Sequence, residues 1–325
     1  DPAKPPIGIA APGPYSGIEI LRYSGSDNVT LTGNKLANTL VSGDGDDTLV
    51  GGAGIDTLVG GNGDDLYIYL GKDILIEGVD GGNDEVQSGE DIDLSNSENI
   101  ENIVLTGSLG INATGNASNN SIVGNAASNA LEGGDGDDTL VGLDGDDSLT
   151  GGGGANSLVG GSGNDTYKIE ATANPDGSVT IQDTLVEDPG GGIDEIRVAA
   201  DVDLSQLPDF ENVLLLDAAS PNFNVIGNDQ NNTIAGNSGA NSLDGAAGVD
   251  SLFGGNGNDT YFVDVAGDVV TENAGGGLAD LVISSSESYS LPDNVEDLVL
   301  IGGPGSMGRG NIQPNQITGS NASNS

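Results

Sequence analysis

Aspartate, or asparagine in its place, returns at every ninth residue through three stretches of this chain, and carboxylates at so regular a spacing suit one kind of chemistry, the neutralisation of cations. Counting back from Tyr67 in steps of nine gives Leu58, Leu49, Leu40 and Leu31. Two residues ahead of these five stand Asp65, Asp56, Asp47, Asn38 and, less well, Val29. A second stretch sets Asn120, Asn129, Asp138, Asp147, Asn156 and Asp165 ahead of Ile122, Leu131, Leu140, Leu149, Leu158 and Tyr167. A third sets Asn232, Asn241, Asp250 and Asp259 ahead of Ile234, Leu243, Leu252 and Tyr261, and a fourth begins with Asn315 and Ile317. Glycine keeps the same step: residues 51–59 read GGAGIDTLV, 60–68 GGNGDDLYI and 133–141 GGDGDDTLV. Chance does not hold a register of nine through fifteen successive positions.

The elements that must position these carboxylates follow from the same repeat. Six residues of each nonad form a turn, in which glycine supplies positive φ and lets main-chain carbonyls converge. The other three, such as Thr48, Leu49 and Val50, form a short strand whose central apolar residue points inward. Two nonads make one coil, and stacked coils bury a column of Leu and Ile at about 2 kcal/mol for each side chain. Such a column explains how a chain with 3% aromatic residues and 56 glycines can hold together, since it cannot fill a wide globular core.

Charge narrows the function further. The chain of 325 residues carries 51 Asp plus Glu against 7 Lys plus Arg, for a formal charge of −44. Composition of this kind reads either as disorder or as a fold neutralised by bound cations, and the regular apolar spacing favours the fold. The basic residues (Lys4, Arg22, Lys35, Lys72, Lys168, Arg197 and Arg309) are scattered, so no patch neutralises phosphates and no nucleic-acid partner is expected. Anionic membrane surfaces repel such a chain, and its apolar runs are too short to cross a bilayer. With no His and no Cys the usual nucleophilic triads are excluded, and transition metals find neither imidazole nor thiolate. The 51 acids always offer carboxylate pairs, but nothing singles out one pair over its repeat copies, so no enzyme activity is expected.

The GGxGxDxUx pattern, matched directly by about a third of the chain, resembles the RTX calcium-binding nonapeptide repeats of the hemolysin type. The resemblance implies an all-β fold, a right-handed parallel β-roll or β-solenoid rod with longer β-coils between the nonapeptide blocks. It also implies Ca2+ held between turns n and n+2. Calcium takes six to eight oxygen ligands, which a carboxylate at the sixth place and the carbonyls of a Gly-rich turn can supply. The expected metal ligands are the carboxylates of Asp47, Asp56, Asp65, Asp138, Asp147, Asp165, Asp250 and Asp259. With them go the turn glycines Gly43, Gly45, Gly61, Gly63, Gly136, Gly145, Gly163 and Gly257.

Stacking by coil pairs each Asp with the residue 18 onward. Asp47/Asp65 and Asp147/Asp165 are all-Asp pairs, while Asn38/Asp56, Asn129/Asp147, Asp138/Asn156, Asn232/Asp250 and Asn241/Asp259 hold one Asn each. Asn keeps an oxygen but lacks charge, so weaker or empty sites are expected there, with an amide ladder as the alternative for Asn120, Asn129 and Asn232. In this scheme Asp147 serves two layers, whereas the second partner of Asp56 falls in a turn outside its block.

The spacers repeat too. Asp73, Glu77 and Asp84 correspond to Asp183, Glu187 and Asp194 and to Asp268, Glu272 and Asp280, with a later Glu at 101, 211 and 296. These carboxylates either bind further calcium or lie on solvated loops. Residues 73–77 (DILIE) and 178–182 (SVTIQ) read as strands, and no helical periodicity is present. The resulting segments are a Pro-rich arm with a leading strand at 1–27, superunits at 28–114, 115–224 and 225–307, and an incomplete fourth repeat at 308–325. Their nonapeptide blocks are expected at 28–69, 115–168 and 225–262. If the spacers coil as well, strand layers about 4.8 Å apart give a rod on the order of 80–90 Å.

The function expected is that of an extracellular, calcium-dependent structural segment of a bacterial adhesin, surface layer or filament. Copies joining end to end, through the uncapped register after Ile317, are a further expected partner, and a cell-surface glycan is another. The alternative is a secretion and folding module, or a glycan-binding one, of a larger secreted enzyme. The resemblance implies type I secretion, with no signal visible in this chain.

Overall fold

Every nonad folds as a tight turn followed by a strand of three or four residues, and the strands stack in parallel at the spacing of one coil. The computed structural model describes residues 7–10, 17, 19–173, 179–218 and 222–319, with side chains left aside at 7–10, 172–173 and 179–180. The five prolines of the N-terminal arm lie outside the described residues. Two compact units are present, Asp1–Asp165 with Asp183–Val186, and Thr166–Gln182 with Glu187–Ser325.

In the first unit a ten-stranded parallel sheet runs from Ile7–Ala10 through Val29–Thr32, Thr48–Val50, Leu66–Tyr69 and Glu85–Ser88 to Thr184–Val186. A second face holds Ile20–Arg22, Thr39–Val41, Thr57–Val59 and Ile74–Ile76. Alternate nonads thus feed alternate faces. Leu31 lies over Leu49 and Leu49 over Tyr67 on one face, while Leu40 lies over Leu58 and Leu58 over Leu75 on the other. In the second unit Asn224–Ile226, Ser242–Asp244, Thr260–Val263, Leu281–Ser284 and Asp297–Leu300 stack on one face, with Asn212–Leu215, Thr233–Ala235, Ser251–Phe253 and Val269–Thr271 on the other. Each unit is therefore a parallel β-solenoid, as the nonapeptide period implies.

The alternation of the strands explains the core. Thr-Leu-Val strands bury their central residue alone, because successive side chains of a strand point to opposite faces. Leu31, Leu40, Leu49, Leu58, Tyr67, Leu140, Leu149, Leu158, Leu243, Leu252 and Tyr261 are all fully buried.

The spacers coil too, with less regular steps: Glu85–Ser88 stacks on Leu66–Tyr69, and Asn102–Leu105 on Glu85–Ser88. The expected strand at 73–77 is Ile74–Ile76. The one expected at 178–182 is only Val179–Thr180, antiparallel to Thr172–Ala173, so it is a local hairpin rather than a layer of the solenoid. Among the described residues the only helical element is the 3-10 turn Leu204–Gln206, and no helix is long and apolar enough to cross a membrane.

Candidate metal centre

The sixth residue of each turn is buried because it enters the strand just ahead of the inward apolar side chain. Asp47, Asp56, Asp65, Asp138, Asp147, Asp165, Asp250 and Asp259 are all buried, at 2% exposure or less. Each uses Oδ1 in the same way, accepting the main-chain N–H of the residue one coil earlier. Asp65 accepts from Asp47 at 2.7 Å, Asp147 from Asn129 at 2.7 Å, Asp165 from Asp147 at 2.7 Å and Asp259 from Asn241 at 2.7 Å. Asp56, Asp138 and Asp250 accept likewise from Asn38, Asn120 and Asn232. The 18-residue pairing is thus a ladder of charge-assisted hydrogen bonds.

The second oxygen is what makes the ladder a cation site. Oδ2 of Asp56, Asp65, Asp138, Asp147, Asp250 and Asp259 is buried without a hydrogen-bond partner. These atoms face the first residue of their own turn. Beside the Gly133 α-carbon, where a side chain would begin, lie Asp138 Oδ2 and the Gly151 carbonyl; beside Gly142 lie Asp147 Oδ2 and the Gly160 carbonyl. A carboxylate of one coil and a carbonyl of the next therefore converge on space that only glycine leaves open. Asp47 differs, because its Oδ2 accepts the Gly43 N–H at 3.3 Å.

An ionised oxygen buried with no partner costs several kcal/mol unless a proton or a cation answers it. Burial accordingly pushes the metal-free carboxyls up, Asp138, Asp250 and Asp259 to about 6, Asp147 to about 7 and Asp65 to about 8. Main-chain hydrogen bonds to Oδ1 oppose that rise, and neighbouring carboxylates add to it.

The turn glycines named from sequence sit elsewhere on the turn. Gly45, Gly61, Gly63, Gly136, Gly145, Gly163 and Gly257 all have positive φ, between 107° and 137° in most coils, while Gly43 is not among the positive-φ residues. They stack main chain on main chain, Gly61 over the Gly43 carbonyl and Gly63 over the Gly45 carbonyl. The first-place glycines, Gly60, Gly133, Gly142 and Gly254, were missed; the doubled GG in the motif was the available signal.

Spacer carboxylates extend the ladder instead of leaving it. Asp56 donates its N–H to Asp73 Oδ1 at 2.9 Å, Asp65 to Asp84 Oδ1 at 2.8 Å and Asp84 to Glu101 Oε2 at 2.9 Å. The second unit repeats this with Asp250 to Asp268, Asp259 to Asp280 and Asp280 to Glu296. Of the two alternatives for the spacer acids, the solvated loop does not hold for Asp73, Asp84, Glu272 and Asp280, which are buried. One expectation is corrected: Asp56 lies between two ladder partners, Asn38 and Asp73, much as Asp147 does. The block-ending tyrosines join in: the hydroxyls of Tyr67, Tyr167 and Tyr261 donate to Glu77, Glu187 and Glu272.

The Asn turns are built otherwise. Asn120 Oδ1 accepts the Asn116 N–H at 2.8 Å, and Asn120 Nδ2 donates to the Ile100 carbonyl at 3.0 Å. Asn116 Nδ2 donates to the carbonyls of Ser97 at 2.9 Å and Ile100 at 2.8 Å. These amides bond main chain of the preceding coil, so they are not the stacked amide ladder expected from sequence.

An all-oxygen donor set with partnerless carboxylates, repeating by coil, fits a hard cation of calcium's kind. The RTX calcium-binding nonapeptide repeat model matches four times, at residues 32–67, 112–140, 132–167 and 226–261. The chain carries RTX calcium-binding repeats. RTX repeats bind Ca2+, and the partnerless Oδ2 atoms of Asp56, Asp65, Asp138, Asp147, Asp250 and Asp259 lie in turns that the RTX match covers. Comparison with the curated proteins returns no match. Three of the four RTX matches end at Tyr67, Tyr167 and Tyr261, short of the spacer carboxylates, and the other ends at residue 140.

Proposed function

We propose that this chain is an extracellular, calcium-dependent structural solenoid, a segment of a secreted adhesin, surface layer or filament, whose folding is coupled to cation binding. The observation that carries the reading is the row of buried Oδ2 atoms without partners, repeated coil after coil in both units. In this reading Asp56, Asp65, Asp138, Asp147, Asp165, Asp250 and Asp259 supply carboxylates, and carbonyls such as those of Gly151 and Gly160 complete the shells. The chain's own work is to present these oxygens dry and at fixed spacing. Bound calcium supplies the positive charge that lets the coils close on one another, so that metal binding appears as folding free energy. The external medium, rich in calcium, is where such a fold completes itself.

The repetition of the same acidic set in successive superunits supports a structural role over catalysis. Self-association belongs to the same proposal. Sedimentation velocity with and without calcium reads this directly, and a monomer at all concentrations in calcium removes the assembly.

The test of the main reading is far-UV circular dichroism during a calcium titration from the chelated state. Conversion of coil to β-structure is expected. A full β spectrum, unchanged in excess chelator at neutral pH, overturns the reading.

A further inference from the structure

The last nonad of a block faces no further nonad, and the structure shows what replaces it. Beside Gly60, in the space where other turns receive a carbonyl from the next coil, lie Asp65 Oδ2, Glu77 Oε1 and the Tyr67 hydroxyl. Beside Gly254 lie Asp259 Oδ2, Glu272 Oε1 and the Tyr261 hydroxyl. A spacer glutamate has taken the place of a main-chain carbonyl. The spacer then adds a third carboxylate, so that oxygens of Asp65, Glu77 and Asp84 all lie within 4.8 Å of one another, as do those of Asp259, Glu272 and Asp280.

We propose that these two clusters are a separate class of cation site, one that holds calcium more tightly than the nonapeptide layers and also accepts a trivalent lanthanide. The proposal rests on the calcium reading above but concerns residues that the repeat match does not cover, since Glu77, Asp84, Glu272 and Asp280 lie beyond residues 67 and 261. Three acidic groups alone do not make a site. The second observation is that Oδ2 of Asp65, Asp84, Asp259 and Asp280 is buried without a hydrogen-bond partner, in side chains at most 2% exposed. Glu77 and Glu272 are fixed by their tyrosines and by main-chain N–H groups, Gly61 and Gly78 for Glu77 and Asn273 for Glu272.

The charge count separates the two classes. A layer joining Asp138 to Asn156 offers one carboxylate and one joining Asp147 to Asp165 two, whereas each spacer cluster offers three, all buried except the half-buried Glu77. Affinity of an oxygen cage for calcium rises with its count of charged ligands. Three carboxylates leave a residual negative charge around a divalent ion and are neutralised by a trivalent one. The same residue types recur in sequence at Asp165, Glu187 and Asp194, all buried.

Tyrosine gives the site its own reporter. The chain has no Trp, and Tyr67 and Tyr261 touch the cluster glutamates, so terbium bound there is excited through tyrosine. The experiment titrates terbium into the full chain folded in calcium, comparing wild type, E77Q/E272Q and the exposed-site control E132Q. The double variant is expected to lose about half or more of the tyrosine-sensitised emission and to shift its midpoint about tenfold upward, while E132Q matches wild type. Wild-type emission and midpoint in a folded E77Q/E272Q overturn the proposal. Should E77Q/E272Q not fold, Y67F/Y261F keeps every carboxylate. Its sensitised emission should fall while directly excited terbium stays bound, and unchanged sensitised emission overturns the proposal equally. Absence of any circular dichroism response to calcium in the wild type defeats the calcium reading itself, whereas a normal response with unaltered terbium binding defeats this site alone.

Discussion

Residues 115–120 and 133–138 occupy the same place in successive coils, yet one turn is complete in itself and the other is not. In the first, Asn116 and Asn120 turn their Nδ2 groups onto the carbonyls of Ser97 and Ile100, and their Oδ1 atoms accept main-chain N–H groups. In the second, Asp138 Oδ1 accepts the Asn120 N–H, while Oδ2 stays buried with no hydrogen-bond partner. An amide brings its own donors, so it supplies the positive end that a carboxylate must take from a proton or a cation. The second unit repeats the contrast, with Asn228 and Asn232 satisfied and Asp250 Oδ2 without a partner. On the proposed reading the Asn turns therefore need no cation of their own, while the Asp turns next to them do.

The largest effect should come from filling the space where oxygens converge. Gly142→Ala places a methyl group against Asp147 Oδ2 and 2.7 Å from the Gly160 carbonyl, where main chain must move. A loss of about 3 kcal/mol is expected in calcium, measured by denaturant unfolding. A loss below about 1 kcal/mol would show that the space is not tightly used.

Next is pH. Asp138 at about 6 and Asp147 at about 7 are raised by burial above their unfolded values, so the folded metal-free chain holds more protons than the unfolded one. Their contribution to stability is fully present below the unfolded carboxylate range and is lost as pH rises through about 6 to 7. Metal-free protein should therefore hold more β-structure at about pH 5 than at about pH 8, read by circular dichroism, and saturating calcium should abolish or reverse that order. Metal-free β-structure that rises with pH contradicts the burial argument.

A smaller effect carries a sign that the comparison fixes. Asp138→Asn removes a buried charge without a cation and a metal ligand with one. It should stabilise the chelated protein and destabilise the calcium form, each by about 1–2 kcal/mol. The same sign in both conditions breaks the distinction between the turns. Smallest is Leu143→Gly. Leu143 sits at φ +86° where most such nonads have glycine, and relieving that strain should add about 1 kcal/mol with or without calcium.

Much of this was legible in the sequence because a solenoid writes its geometry into its period. The inward residues Leu31 to Tyr67, the 18-residue pairing and the buried sixth-place Asp all follow from a constant step of nine. The use of each Asp oxygen did not, since Asp47 and Asp56 look alike in sequence while only Asp47 has its Oδ2 bonded to its own turn. Glu77, Glu187 and Glu272 stand at different distances from the last Asp of their blocks, so no single period reveals their meeting with Tyr67, Tyr167 and Tyr261. Loop length, not register, brings them in. The Asn turns were read as weaker or empty metal sites, or else as stacked amides, because a composition argument does not show that Ile100 and Ser97 present carbonyls there.

Hydrogen exchange of the full chain, followed by mass spectrometry in calcium and in excess chelator, tests the central claim most directly. The strands Thr139–Asp144 and Ser148–Gly153 follow the Asp turns that end at Asp138 and Asp147, while Ser121–Val123 follows the Asn turn at 115–120. Chelation at neutral pH should cost the first two strands their protection at a higher free-calcium level than Ser121–Val123 loses its own. Simultaneous loss along both regions, or protection unchanged by chelator, would contradict the account.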